Sequence, residues 1–451
     1  MPGAVEIVHL AYASFPADTR VKREALAALA TGRRVAVVVL RADRQLAEEE
    51  SGALTVLRLP GRKSRRGPLA YLGEYAAFTW RCRRLLAHDP RFAAVRVVHV
   101  HTLPDFLVWA AAPAQRRGAR LILDLHEIFP EFTASRYSGV VGRLGSALAR
   151  RIERWARRRA DLTITVNRPI DDLLATRDIG RPERRLIVHN SADPEDFGPP
   201  RPPASPPARS TIELIYHGTL TPLYGLDVAI RGVVRAAERG LHVRVTVLGD
   251  GPQRDQLGRL VGELRAEALV SFQPRVPQAE LPARLGGCDA GLVPTRLDGM
   301  TRYSLSNKLL EYMHLGLPVL AARLPSYAQY VPENAAWYWT PNDATDLARA
   351  IGEFAAATPA QRLARARRAQ EGLATIAWPG ERERLLAAYR ELLAAPPPPP
   401  LPSHEIPAPG WRRYVRRHGR RRRRPGPRAS RLHLWRRPRR WLPAASRPDP
   451  A

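Results

Sequence analysis

Lys308 and Glu311 are a cation and a carboxylate three residues apart, a spacing that puts both on one face of a helix. They stand in the run Ser304-Leu-Ser-Asn-Lys-Leu-Leu-Glu-Tyr-Met-His-Leu-Gly-Leu-Pro-Val-Leu-Ala-Ala322. A cation in a first helical turn adds to a helix end that already favours anions, and so suits a diphosphate. A carboxylate one turn further on can accept hydrogen bonds from two sugar hydroxyls. Together they describe a pocket for a nucleotide diphosphate sugar, with Lys308 expected to stand exposed in the empty cleft. Read alone, the pair also suits an ordinary surface helix with a solvated ion pair. The positioning elements can be read from the same run. Ser304 or Ser306 caps a helix opening near Asn307, Gly316 supplies a left-handed stop, Pro318 prevents continuation, and Val319–Ala322 is a short buried strand.

The segment Asn307-Lys308-Leu309-Leu310-Glu311-Tyr312-Met313-His314-Leu315-Gly316-Leu317-Pro318-Val319 resembles the signature of the retaining glycosyltransferases of family 4, N/S-K-x-x-E-Y-M-x-x-G-x-P-V. The resemblance implies a GT-B fold, with two Rossmann-like domains facing a central cleft. It also implies that Lys308 contacts the donor phosphates and Glu311 the nucleotide ribose, with Asn307 and Leu309 beside them. Four further sites extend it. Asp124-Leu-His-Glu127 follows an apolar strand, and strand carboxyl ends are where doubly wound domains present functional groups. Family members carry a His there facing the donor sugar, which makes His126 a catalytic candidate beside Lys308 and puts Glu127 on the acceptor side. Ala13-Ser-Phe-Pro-Ala-Asp-Thr-Arg-Val21 lacks the glycines usual in the family and offers Arg20 as an anion or acceptor contact, or as an exposed Arg behind a helix cap. Tyr216-His-Gly-Thr-Leu-Thr-Pro-Leu-Tyr-Gly225 places Gly218 and Thr219 near the donor. Thr219 and Tyr224 stand where many relatives have an Arg and a Lys, and Arg296 or Arg302 are candidates to compensate. Gly249-Asp-Gly-Pro252 puts Asp250 near the nucleotide, and Arg275 follows the next strand beside the base. The family is often described by two glutamates seven residues apart, and Tyr303 occupies the first position here.

No Asp-x-Asp triad stands in a plausible place, so no metal or other cofactor is expected. Helix dipoles and Lys308 would stabilise the leaving diphosphate instead. No Gly-x-Gly-x-x-Gly opens either half, which argues against a dinucleotide-dependent dehydrogenase. Cys82 and Cys288 are far apart and lack metal spacing, which argues against a disulfide framework and fits a reducing cytoplasm. No signal peptide and no apolar run of about 18 residues is visible, so a cytoplasmic enzyme, or one peripheral to the inner face of a membrane, is expected.

The 451 residues exceed one core, and 45% of them are hydrophobic. Strand and helix patterns alternate over 1–195, with apolar runs at Val5–Leu10, Arg34–Leu40, Leu54–Leu59, Val95–Val100, Leu121–Leu125, Leu162–Val166 and Leu186–Val188. A Pro-rich linker, 196–210, precedes a second alternation over 211–395, with strands at Ile212–Tyr216, Arg244–Leu248, Leu269–Phe272, Ala290–Val293 and Val319–Ala322 and a closing helix at Glu381–Leu393. Continuous β-branched runs between helices mean parallel sheets buried on both faces, an α/β class. The first domain is expected to take the acceptor and the second the donor. Of the net charge of +29, +15 lies after Trp411, leaving +14 on the body. The Pro/Arg-rich tail, 396–451, reads as disordered, with Trp411, Tyr414, Trp435 and Trp441 among its arginines. Such a tail suits an anionic membrane surface and attracts nucleic acid without specificity. The leading expectation is a hexosyl-type glycosyltransferase acting on a glycan or lipid-linked acceptor in bacterial glycan or glycolipid biosynthesis. The alternatives are a GT-B nucleotide-sugar 2-epimerase and a non-catalytic sugar- or polyanion-binding protein on the same fold.

Overall fold

The apolar runs become two sheets in a computed structural model, which describes residues 4–42, 44–61, 68–137, 139–192, 194–204 and 209–396. The first sheet contains β1 (Ile7–Ala11), β2 (Val35–Leu40), β3 (Glu48–Ser51), β4 (Leu54–Leu59), β5 (Val97–His101), β6 (Arg120–Leu125), β7 (Leu162–Thr165) and β8 (Arg185–Ile187), in the order β3-β4-β2-β1-β5-β6-β7-β8. All neighbours are parallel except β3, which runs antiparallel along the β4 edge. The second contains β9 (Ile212–His217), β10 (Val243–Leu248), β11 (Val270–Gln273), β12 (Ala290–Val293), β13 (Val319–Ala322) and β14 (Trp337–Trp339), all parallel, in the order β11-β10-β9-β12-β13-β14.

Both orders turn back at one point, between β1 and β5 in the first sheet and between β9 and β12 in the second. Outward-going connections there leave a crevice at the strand carboxyl ends. The fully buried valines of β2 show why the first sheet forms. Val35, Val37 and Val39 face one core layer while Ala36 and Val38 face the other, so helices must cover both sides.

The expected closing helix is longer than its sequence pattern, Trp378–Ala394, and it packs on the first sheet. Leu385, Tyr389 and Leu392 join the core layer of Ile7, Val21 and Val35. Each such side chain, fully buried, contributes on the order of 1.5–3 kcal/mol. The chain thus crosses to the second sheet near residue 200 and returns near 378. No helix among the described residues is long and apolar enough to cross a membrane. The tail beyond Pro396, with its four aromatic residues, lies outside the described residues.

Candidate active site

The Lys308 helix spans Asn307–His314, with Ser306 in extended conformation at its N-cap and Gly316 left-handed (φ 67°) just past its end. Ser306 makes no side-chain capping bond, so the sequence signal located the helix start without the capping hydrogen bond. Leu309, Leu310, Tyr312 and Met313 are fully buried in one core layer, which fixes the helix against β12 and β13. Leu309 can therefore offer a ligand only its backbone.

Lys308 is not exposed, contrary to expectation; it is 7% accessible. Its ammonium lies 3.7 Å from the centroid of the Tyr224 ring and 5.2 Å from that of Tyr216, and among the described residues it has no ion pair. Burial pushes its pKa down to about 8 against the pull of Glu311. Gly218, at φ 127°, brings its backbone beside the ammonium; a Cβ there would meet Lys308 Nζ at 3.3 Å. Glu311 turns from Lys308 to His217, at the end of β9, with Oε2 2.9 Å from Nε2. The two atoms lie at ion-pair distance, and both are buried without a hydrogen-bond partner. His217 was missed in the sequence; its place at the end of the central strand, before the glycine, was the available signal.

Across the cleft, His126 and Glu127 follow β6. They line a cavity of about 230 Å³ together with Tyr224, Asn307 and Lys308. Burial raises the pKa of the Glu127 carboxyl, against the pull of His126. His126 Nε2 lies 2.8 Å from Asp124 Oδ2, and its backbone N–H donates to Thr102 Oγ1. The walls are tied together by Asn167 Nδ2 donating to the Tyr303 carbonyl (2.9 Å) and by the Arg168 N–H donating to Tyr330 Oη (2.8 Å). Tyr303, at the position of the family's first glutamate, is not among the residues that line the cavity.

Other expected contacts fall elsewhere. Arg20 is neither exposed nor open to a ligand. It is 5% accessible and grips Asp124 with Nε to Oδ2 (2.9 Å) and Nη2 to Oδ1 (2.7 Å), while Nη1 donates to the Val188 carbonyl. A planar fork matched to a carboxylate at the sheet centre explains the burial. Thr219, Asp250 and Arg275 are exposed and lie outside the cavity lining. Asp250 Oδ1 accepts from the Gly251 N–H. Arg296 is bound to Asp227 (2.5 Å) and Asn342, Arg302 lies over the Tyr303 ring, and neither lines the cavity beside Lys308.

Behind His126 lies a polar cluster that composition did not announce. His99 and His101, two residues apart on β5, share a face with His9 of β1. His101 Nδ1 and His126 Nε2 both reach Asp124 Oδ2, at 3.1 and 2.8 Å. His101 Nε2 meets His9 Nδ1 at 3.0 Å, and His99 Nδ1 meets Tyr389 Oη at 2.6 Å. Burial lowers the pKa of all three inner histidines, so they are neutral at pH 7. Burial would raise the Asp124 pKa, but Arg20, then His126, outweigh it and hold the carboxyl well below its usual range. Two ring N–H groups then point at ionised Asp124, which fixes the His126 proton on Nε2. Glu24, His99, His101 and Asp124 have donor atoms within 4.8 Å of one another and are the described side chains that could hold a metal ion, as are His9, His99 and His101. Arg20 already supplies a positive charge, 2.7 Å from Asp124 and 3.0 Å from Glu24.

Comparison with known proteins bears on this geometry. Residues 17–191 match the family described as "Glycosyl transferase 4-like domain", and residues 211–356 match "Glycosyl transferases group 1". Each matched segment is thus similar to a glycosyltransferase domain. The chain is 30% identical over 202 residues to a protein described as a colanic acid biosynthesis glycosyltransferase, WcaL, of Escherichia coli, covering 44% of this chain and 48% of that one. It is 26% identical over 248 residues to the 2-deoxystreptamine glucosyltransferase of Streptomyces kanamyceticus, covering 52% and 61%. The match thus spans about half the length of these curated relatives. Among solved structures, sucrose-phosphate synthase from Thermosynechococcus elongatus superposes with a TM-score of 0.69 at 17% identity, covering 87% of this chain and all of that one. HepE from Anabaena, solved with UDP and glucose, gives 0.62 at 17% identity, over 87% and 100%. The two matched segments adopt the GT-B fold, one on each sheet.

Proposed function

We propose that the chain transfers a hexosyl group from a nucleotide diphosphate sugar to an acceptor hydroxyl with retention at the anomeric carbon. The observation that carries this reading is Lys308: a buried ammonium without an ion-pair partner, at the start of a helix, on one wall of a cavity whose opposite wall holds His126 and Glu127. A diphosphate entering there would meet the ammonium and the first-turn N–H groups together. Glu311 Oε2, buried and unbonded, would accept from the ribose hydroxyls, with Gly218, Thr219, Asp250 and Arg275 toward the rest of the nucleotide. In the transfer, the bond from the anomeric carbon to the diphosphate oxygen breaks as the bond to the acceptor oxygen forms on the same face. The acceptor proton passes to the departing diphosphate oxygen. His126, held by Asp124, orients the donor sugar; Glu127 faces the acceptor. No step calls for a metal or other cofactor. A role in bacterial glycan or glycolipid synthesis, at the inner membrane face, fits this reading, with the basic tail as an anchor to anionic lipid.

The test is a thermal-shift panel of UDP-, GDP- and ADP-sugars, since a ligand that binds only the folded state raises its apparent stability. One nucleotide should raise Tm in the parent and fail to do so in Lys308→Ala. A panel with no shift in the parent, or an equal shift in both, overturns the reading.

A further inference from the structure

A second concavity lies a few residues from the candidate active site and differs from it in chemistry. Phe129–Arg136 and Gly139–Arg159 form a helical hairpin directly after Glu127 and Ile128. Its two helices pack closely: a Cβ on Gly145 would meet Thr133 Cγ2 at 2.9 Å. The hairpin and the start of Pro68–His88 enclose a groove of about 480 Å³, lined by Phe106, Phe129, Phe132, Leu72, Leu148 and Ile152. Val141 and Leu148, also in its lining, are 71% and 59% exposed, and Val140 and Leu144 beside them are 60% and 68% exposed. Large apolar side chains at this exposure, contiguous along one helix, mark a surface that meets something apolar. The same hairpin is basic: Arg136 sits in the groove lining, and Arg143, Arg150, Arg151 and Arg154 are exposed along the second helix. Apolar walls on a basic hairpin, with Arg136 in the lining itself, complement a hydrocarbon chain with an anionic head.

We propose that this groove binds the hydrocarbon chain of an anionic lipid acceptor, whose hydroxyl-bearing head reaches the cleft at Glu127. This rests on the glycosyltransferase reading above. The continuity is covalent, because Glu127 and Ile128 line the cleft while Phe129 and Phe132 line the groove. A long hydrocarbon chain would replace water over the apolar walls, and that burial favours binding in proportion to the number of methylenes covered.

The experiment uses the full-length chain and two soluble probes, dodecyl phosphate below its micelle concentration and butyl phosphate, measured by equilibrium dialysis. Both share the anionic head, so their ratio reports the chain alone, and the basic tail acts equally on each. The parent should prefer the dodecyl probe by at least about tenfold. Val141→Asp with Leu148→Asp, at exposed positions that leave the core intact, should abolish most of that preference while the nucleotide-sugar thermal shift stays unchanged. No preference in the parent, or the same preference in the variant, overturns the groove. A lost preference in a parent-like variant that never responds to any nucleotide sugar overturns the acceptor role instead.

Discussion

At each sheet's turning point a buried cation stands near a carboxylate and a histidine, and the two sites are finished in opposite ways. In the first sheet Arg20 makes two bonds to Asp124 and one to the Val188 carbonyl, and Asp124 also takes His101 and His126. In the second, Lys308 faces two tyrosine rings, while Glu311 Oε2 and His217 Nε2 lie close without a proper bond. Removing charge from water costs several kcal/mol per ion unless a partner repays it. The Arg20 site repays it within the protein, so its energy is spent on holding β1, β5, β6 and the His126 ring in register. The Lys308 site does not. Burial holds its pKa down, at about 8, and no ion pair among the described residues offsets that cost. One charged centre is built to stay as it is, and the other to meet a ligand.

The largest expected effect tests the finished centre. Arg20→Met leaves ionised Asp124 buried without its main partner and should cost about 3–5 kcal/mol of stability, read as a lower urea midpoint at unchanged slope. Arg20→Lys, which cannot reproduce the fork, should recover only part of it. A loss below about 1 kcal/mol would mean that the site is no more committed than its counterpart.

Lys308 should behave in the opposite sense. Lys308→Ala should lower kcat/KM by about 2–4 kcal/mol of transition-state stabilisation, the range for one preorganised electrostatic group. Lys308→Met should fold more stably than the parent at pH 7. The pKa falls from the ordinary lysine value of 10.5 to about 8 on folding, so the unfolded chain binds more protons between those values and stability rises with pH across that window. Below pH 8 the full penalty, on the order of 3 kcal/mol, is present. The parent's stability should therefore climb from pH 8 toward 10.5, while that of Lys308→Met gains nothing from this residue. Donor affinity in the parent should fall over the same window as the ammonium is lost. Parallel stability profiles for the two proteins would remove the contrast.

The contrast was only half legible in the sequence. Continuous valine runs located β2 and β5, and the Lys308 helix showed its ends through Gly316 and Pro318, because these signals are local. The exposed edge strand β3, Glu48-Glu-Glu-Ser51, carries no apolar pattern, and the aromatic Trp337–Trp339 strand is only three residues long. Arg20 read as a free cation because its partner is 104 residues away, and nothing local tells a gripped arginine from an exposed one. Lys308 read as exposed because the rings that cover it come from β9 and the loop after it. The alternation Val97-Val-His-Val-His101 did carry a signal: two histidines on one face of a buried strand must find partners.

The smallest effect sharpens the unfinished centre. If Glu311 waits for ribose hydroxyls, those hydroxyls should account for part of nucleotide affinity in the parent, about 1.5–3 kcal/mol for bonds to a charged acceptor. A 2′,3′-dideoxy nucleotide should then bind the parent roughly tenfold or more weakly than the normal one, and Glu311→Gln should discriminate much less. His217→Phe separates the ribose from the internal partner. It removes the poorly aligned neighbour, so the parent's discrimination should persist if the carboxylate is aimed at ligand, and shrink if His217 is what holds it in place. Equal discrimination by the parent and Glu311→Gln would mean that the carboxylate serves the protein interior, as Asp124 does, and the two centres would then differ only in their cation.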